Sequence, residues 1–156
     1  MNDCALMTKT DCFRFRGGGI IIRNNKMLFI ENAVANYYYM IGGAVKLGEV
    51  SAHCVEREIY EEIGVDAKAG RLAVVCENLF KGTDHETEGL NCHHIEFYYI
   101  VTLDNYEAID ECTDIGERIV WIPIDKFQDY DIKPSFIRER IQEILASETP
   151  LHVVQN

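Results

Sequence analysis

Residues 42–65 decide the fold, and they read GGAVKLGEVSAHCVEREIYEEIGV. The first part is rich in glycine and predicts a loop of tight turns, because glycine adopts backbone angles that other residues avoid. The second part predicts a helix whose apolar stripe recurs at near-helical spacing through Ala52, Val55, Ile59 and Ile63. Ser51 is predicted as the N-cap of this helix, and Gly64 as its left-handed C-cap.

Three glutamates of the predicted helix, Glu58, Glu61 and Glu62, stand three and four residues apart. At about 100° per residue they share one edge of the helix. Like charges in this arrangement repel each other, so helix stability does not explain them. A hard divalent cation does, because Mg²⁺ takes oxygen ligands and is commonly shared between carboxylates and substrate phosphates. For the three glutamates alone, a solvated acidic face is the favoured interpretation, and the surrounding residues change that judgement.

The whole stretch resembles the Nudix box, the signature of the Nudix hydrolases. That signature is Gly, five residues, Glu, seven residues, then Arg-Glu-apolar-any-Glu-Glu-any-Gly-apolar. Every defined position is filled here, by Gly43, Glu49, Arg57, Glu58, Ile59, Glu61, Glu62, Gly64 and Val65. Many members have proline before the Gly-Gly pair, where this chain has Ile41, but the difference removes no ligand.

The resemblance implies an α/β protein with the Nudix fold, an α/β/α sandwich with a mixed central sheet and the box loop-helix on one face. It implies that Glu58, Glu61 and Glu62 bind a divalent metal ion, with the carbonyl of Gly42 as a further ligand. Both Mg²⁺ and Mn²⁺ take such oxygen ligands, so either ion fits.

The resemblance also implies that Glu49 and Arg57 hold the loop to the helix, with Arg57 as an orienting ion pair. Members of the family take their general base from different places. Glu58, Glu117 and Glu96 all stay open for that role.

The rest of the chain alternates in a way that predicts strands on both sides of the box. Predicted strands cover residues 11–16, 20–23, 27–30, 36–41, 71–81, 91–103 and 117–123, and a last helix runs from Pro134 to about residue 146. Gly17–Gly19 predict a bulge or a close backbone approach. This order of elements predicts a mixed sheet covered by helices on both faces. Residues 1–10 and 150–156 are expected to be peripheral.

Several residues outside the box are candidates for substrate binding. Glu96 is flanked by strongly apolar strand residues, which is costly unless its carboxylate is paired, bound to a metal or on an open face. Arg23, with Arg14 and Arg16, is a candidate phosphate contact, although solvated arginines on strand faces are common.

The run Cys92-His93-His94 raises the question of a transition-metal site. Neighbouring residues of a strand point to opposite faces, so His93 and His94 cannot easily chelate one ion. We therefore expect ordinary strand histidines rather than a zinc site.

Composition limits the partners. The chain has 156 residues, of which 47% are hydrophobic, and this suits a single domain over residues 1–156. Its net charge of −11 argues against a nucleic acid polymer or an anionic membrane surface as partner. A small phosphorylated substrate stays compatible, because a bound metal ion inverts the local field.

Six cysteines without a Cys-x-x-Cys pair, and no signal peptide or apolar span, predict reduced thiols in the cytoplasm. Homodimer formation stays open.

The predicted function is metal-dependent hydrolysis of a pyrophosphate bond in a nucleoside diphosphate linked to another moiety. Nucleoside triphosphates, nucleotide sugars, ADP-ribose and dinucleoside polyphosphates all qualify. The alternative is a non-catalytic nucleotide-binding sensor or regulator with the same fold, but such proteins typically carry an eroded box. An isoprenoid-diphosphate isomerase needs an added Cys and Glu pair and metal-binding histidines that the sequence does not place.

Overall fold

The computed structural model describes residues 2–83 and 86–156, which form ten strands and two α-helices. The strands are β1 (Ala5–Met7), β2 (Asp11–Arg23), β3 (Lys26–Asn32), β4 (Tyr37–Tyr39), β5 (Gly42–Ala44), β6 (Ala67–Lys81), β7 (Asn91–Leu103), β8 (Arg118–Pro123), β9 (Ile132–Lys133) and β10 (Leu151–Gln155). The α-helices are α1 (Ser51–Ile63) and α2 (Phe136–Ala146), and two short 3-10 helices cover Tyr106–Ala108 and Ile124–Asp129.

The strands join one mixed sheet with β2 near its centre. The main path runs β10-β6-β7-β2-β3-β4-β9, while β1 and β5 also pair with β2, and β8 pairs with β3. β2 runs parallel to β7 and antiparallel to β3. The β2–β3 hairpin turns at Asn24 and Asn25, whose φ angles of 51° and 58° suit a two-residue hairpin turn. The predicted mixed sheet and hairpin are therefore confirmed.

The middle of β2 is one continuous strand where the sequence predicts a break. Gly17–Gly19 lie inside this strand. Glycine is needed there because helix α1 and the Tyr98 side chain come close to the backbone. A Cβ on Gly17 would lie 2.9 Å from the Val55 side chain of α1, and one on Gly18 would lie 2.6 Å from the Tyr98 ring. The close backbone approach, one of the two predicted reasons for these glycines, is confirmed.

The two helices cover opposite faces of the sheet, and each has its own core. Val55, Ile59 and Ile63 of α1 pack with Ile21 and Leu28 of the sheet. Their sequence neighbours Ile20 and Met27 point the other way and pack with Phe136, Ile137, Ile141 and Ile144 of α2. This alternation along strands gives the predicted α/β/α sandwich. No helix in the described ranges is long and apolar enough to cross a membrane.

Two local predictions are wrong. Ser51 is the first residue of α1 and not its cap: Val50 occupies the cap position, and the Ser51 hydroxyl instead lies 2.8 Å from the Tyr99 hydroxyl. Leu151–Gln155 is not a peripheral tail, because it forms β10, parallel to the open edge of β6. The prediction for Gly64 is confirmed, since its φ of 69° ends α1 in the left-handed conformation.

Candidate active site

Two glycines of the box loop, Gly42 and Gly43, are required by contacts, whereas Gly48 has a φ of 85° that suits the predicted turn. β5 pairs antiparallel with β2, so that Gly42 lies opposite Gly18 and Gly43 opposite Gly17. A Cβ on Gly42 would lie 2.2 Å from the carbonyl oxygen of Gly17. A Cβ on Gly43 would lie 2.3 Å from the carboxyl carbon of Glu58 on α1. The loop is thus held tightly between the sheet and the edge of α1 that carries the glutamates.

Arg57 joins this loop to the helix. Its Nε and Nη2 donate to the two carboxylate oxygens of Glu49 at 2.8 and 3.1 Å, and Nη2 also donates to the Ala44 carbonyl at 3.2 Å. Its Nη1 donates to Glu58 and, at 3.1 Å, to Glu61. The hydrogen bonds from Arg57 lower the pKa of Glu49, and those to Glu49 raise the pKa of Arg57. Because all three nitrogens of this planar guanidinium donate hydrogen bonds, Arg57 orients these carboxylates.

Glu62 lies at the centre of the acidic cluster. Burial and, next, the negative charges of Glu58, Asp114 and Glu117 raise its pKa to about 8, while the positive charge of Arg16 opposes them. Glu58 is only 16% exposed at its side chain, and Glu61 is half-exposed. A half-buried carboxylate among like charges is costly, and a divalent cation removes that cost. The set of hard oxygen donors therefore fits Mg²⁺ or Mn²⁺.

Glu117 reaches this cluster from the segment before β8. The hydroxyl of Tyr39 donates to its carboxylate, and its backbone N–H donates to Thr113 Oγ1 at 3.1 Å. Burial and then the hydrogen bond to Glu117 raise the pKa of Tyr39, so that its hydroxyl stays a donor. The N–H of Asp114 donates to the Glu62 carbonyl at 3.1 Å, which ties this segment to the end of α1.

A cleft of about 740 Å³ opens beside the box loop. Its lining includes Gly42 and Gly43, the basic side chains Arg14 and Arg16, and Glu96. Its aromatic lining comes from Tyr37, Tyr39, Phe80 and Tyr98. Such a concave site with convergent polar groups suits a small ligand.

Glu96 is only 3% exposed on the floor of this cleft. Burial alone would raise its pKa, but the His94 ring, the charge of Arg16 and hydrogen bonds from Tyr98 and Asn78 outweigh burial and lower it. Tyr98 donates its hydroxyl to Glu96, and the Asn78 amide donates at 3.3 Å. Glu96 is thus a buried, ionised carboxylate.

Among the residues predicted from the sequence, the structure brings most together and leaves one apart. Glu49, Arg57, Glu58, Glu61, Glu62, Glu117 and Gly42 belong to the box loop, α1 and the segment that touches them, and Glu96 lies in the adjoining cleft. Arg23 does not line the cleft in the described part of the chain, because it pairs with Glu107 at 2.8 Å and lies over the Tyr106 ring.

Asp114 lies near Glu62, and nothing in the sequence singles it out as a site residue. It stands in the acidic connection between β7 and β8, where its only signal is one acidic residue among several. Its position beside Glu62 follows from the path of that connection.

The chain matches the family model of the NUDIX domain over residues 14–143. It therefore belongs to the Nudix family, and a Nudix-type pyrophosphohydrolase is the class of enzyme that the family and the intact box support. A search of curated proteins found no match.

Solved structures agree with the fold. The chain is similar to the MutT protein from Bacillus halodurans, with 15% identity, coverage of 89% of this chain and 86% of that one, and a TM-score of 0.68. It is similar to a UDP-X diphosphatase, with 15% identity, coverage of 95% and 69%, and a TM-score of 0.63. It is also similar to an ADP-ribose pyrophosphatase from Streptococcus suis, with 14% identity, coverage of 91% and 98%, and a TM-score of 0.53. At these identities the likeness shows the fold alone.

Proposed function

We propose that the protein hydrolyses the pyrophosphate bond of a nucleoside diphosphate linked to another moiety, with Mg²⁺ or Mn²⁺ as cofactor. The observation that carries this proposal is the cluster of carboxylates around Glu62 on an intact box. Glu58, Glu61 and Glu62 would hold the ion, with the Gly42 carbonyl as a further ligand. A bound ion would neutralise charge on the bridging phosphates.

Residues of the chain itself orient the metal-binding carboxylates and provide a proton acceptor. Arg57, fixed by Glu49, holds Glu58 and Glu61 in place. Attack of water at phosphorus needs a carboxylate to accept a proton. Glu58 and Glu117 both lie in the cluster around Glu62 and are the candidates for that base. Glu96 already accepts hydrogen bonds from Tyr98 and Asn78, so we assign it to substrate binding instead.

The cleft supplies the chemistry that a nucleotide needs. Arg14 and Arg16 on β2 offer positive charge for phosphates, and Lys81 and Lys133 also line the cleft. The rings of Tyr37 and Phe80 offer faces on which a base can stack. Arg23 lies outside this lining, so we propose no role for it in substrate binding. The similar structures include a UDP-X diphosphatase and an ADP-ribose pyrophosphatase, and both activities fall within the proposed class.

All strands of the described ranges join one sheet, which supports a single domain over residues 1–156. A cytoplasmic location and formation of a homodimer stay predictions.

The proposal is tested by chromatographic detection of the nucleotide products formed from a panel of substrates in Mg²⁺ or Mn²⁺. The panel contains nucleoside triphosphates, nucleotide sugars, ADP-ribose and dinucleoside polyphosphates, each with the wild type, Glu61→Gln and Glu62→Gln. We expect turnover of one class that collapses in both variants. Tight nucleotide binding without turnover of any class, unaffected by either substitution, would replace the hydrolase by the sensor.

A further inference from the structure

Two cysteines and a histidine meet beside the cleft, whose lining includes the histidine. Cys12 of β2 and Cys92 of β7 are register partners in the parallel pair, and His94 follows on the same face of β7. They are 2%, 3% and 3% exposed. Their ligand atoms, one from each residue, all lie within 4.8 Å of one another. The cluster stands apart from the box and involves none of its residues.

The buried imidazole of His94 also indicates a ligand at this cluster. Neither ring nitrogen has a hydrogen-bond partner within the described residues, although the side chain is almost fully buried. Such an arrangement is costly, and buried polar groups are nearly always paired. Nδ1 lies 3.4 Å from Glu96 Oε1, and the Phe80 ring packs edge-on against the imidazole with centroids 4.9 Å apart. Nε2 is therefore the nitrogen that is left for a ligand.

We propose that Cys12, Cys92 and His94 bind a thiophilic metal ion of the Zn²⁺ class. Thiolate and imidazole are the ligands that zinc prefers, whereas Mg²⁺ and Mn²⁺ prefer the oxygens of the box. Zinc bonds measure about 2.3 Å to sulfur and 2.0–2.1 Å to nitrogen, so small side-chain rotations bring the three atoms onto one ion. Three protein ligands leave a fourth position for water or another donor.

The surroundings suit this ion. Glu96 Oε1, 3.4 Å from His94 Nδ1, stands where the carboxylate of a carboxylate–histidine–metal arrangement belongs, and a hydrogen bond formed there would fix the ring and its tautomer. His94 itself lines the cleft of about 740 Å³, which opens to solvent on this side of the cluster. The ion would join the parallel strands β2 and β7 where they pass beside the cleft.

The test uses Co²⁺ as a spectroscopic substitute for zinc on the whole chain, reduced and freed of metal, with excess Mg²⁺ to occupy the box. We expect a single Co²⁺ ion per chain with intense thiolate-to-cobalt charge-transfer absorption, which added Zn²⁺ abolishes. Co²⁺ held by carboxylates lacks that absorption, so the readout separates the two sites. Hydrolysis in Mg²⁺ reports only on the box, so failure of one proposal is distinguishable from failure of the other.

Matched variants assign the ligands. Cys12→Ser and His94→Gln should lose the charge-transfer absorption, whereas Cys112→Ser, which removes an exposed thiol outside the cluster, should keep it. Because ligand variants can also unfold, the thermal midpoint of the wild type is measured with and without Zn²⁺, and an increase is expected. Absence of the absorption in reduced wild type, or its survival in Cys12→Ser, would overturn the proposal. A Cys12–Cys92 disulfide in the isolated protein, together with no Co²⁺ binding after reduction, would overturn it as well.

Discussion

The carboxylate of Glu58 occupies the space that a side chain at position 43 would need. A Cβ on Gly43 would lie 2.3 Å from Glu58 Cδ and 2.5 Å from each of its oxygens. The backbone of Gly43 does not adopt a positive φ, so no turn demands this glycine. The first glycine of the box is therefore explained by contact between loop and helix at a proposed metal ligand.

Gly43→Ala should lower kcat by about 100-fold, because it displaces Glu58 and small displacements in a catalytic site cost that much. The rate is measured in saturating Mg²⁺ on the substrate that the panel identifies. Gly70→Ala, on β6 and away from the box, crowds the Ile100 carbonyl oxygen at 3.0 Å, so it serves as the control for crowding at a distant glycine and should keep the wild-type rate. A Gly43→Ala variant as active as the control would show that Glu58 does not need its observed position.

Arg57→Lys should lower both activity and stability, although the charge is kept. Lysine cannot reproduce the two parallel bonds to Glu49 together with those to Glu58 and Ala44. We expect a loss of about 1–3 kcal/mol in the free energy of unfolding, measured by urea denaturation. Arg140→Lys, which alters an exposed pair with Glu143 on α2, should change that energy by less than about 0.5 kcal/mol. Equal losses in the two variants would contradict the assigned role of Arg57.

The stability of the metal-free protein should fall as pH rises from about 4.5 to about 8. Glu62 has a pKa of about 8 in the folded chain against 4.5 for an ordinary glutamate, so the folded state holds more protons in this window. Stability decreases with pH wherever the folded state binds more protons. Thermal midpoints in a chelator should show the decrease, and Glu62→Gln should reduce it. Added Mg²⁺ should stabilise the wild type most at the alkaline end; an equal effect at both ends would contradict this account.

Glu117→Gln and Glu96→Gln should separate proton transfer from substrate binding. If Glu117 accepts the proton, its loss lowers kcat by about 10²–10⁴-fold with little change in KM. Loss of Glu96 should instead raise KM, because its carboxylate lies in the lining of the cleft. Steady-state kinetics on both variants gives the answer. A Glu117→Gln enzyme with wild-type kcat would leave Glu58 as the base.

The sequence predicts those features that depend on neighbours along the chain. The box, the helix over Ser51–Ile63 and the hairpin at Asn24 and Asn25 each have local signals, namely residue spacing, apolar periodicity and turn residues. The position of Ser51 could not be predicted in this way. Whether a residue caps a helix or begins it depends on the path of the preceding loop.

Features that depend on distant pairing could not be predicted. β10 forms because β6 offers an open edge, and five residues alone carry too little alternation to show it. His93 and His94 do face opposite sides, as predicted, with His94 buried and His93 exposed. Cys12 reaches His94 only through the parallel register of β2 and β7, which no local spacing encodes.

Our main proposal is that the carboxylates around Glu62 make hydrolysis depend on a divalent ion. Its most direct test compares initial rates of the wild type, Glu62→Gln and Glu56→Gln, each in Mg²⁺ and in a chelator. Glu56 lies on the same helix, but its carboxylate accepts from the Ala69 N–H and pairs with Lys68.

A bound ion contributes several kcal/mol to catalysis, so Glu62→Gln should lose at least about 100-fold. Glu56→Gln should keep the wild-type rate, and the chelator should abolish activity in every case. Wild-type turnover by Glu62→Gln, or turnover that the chelator leaves unchanged, would contradict the proposal.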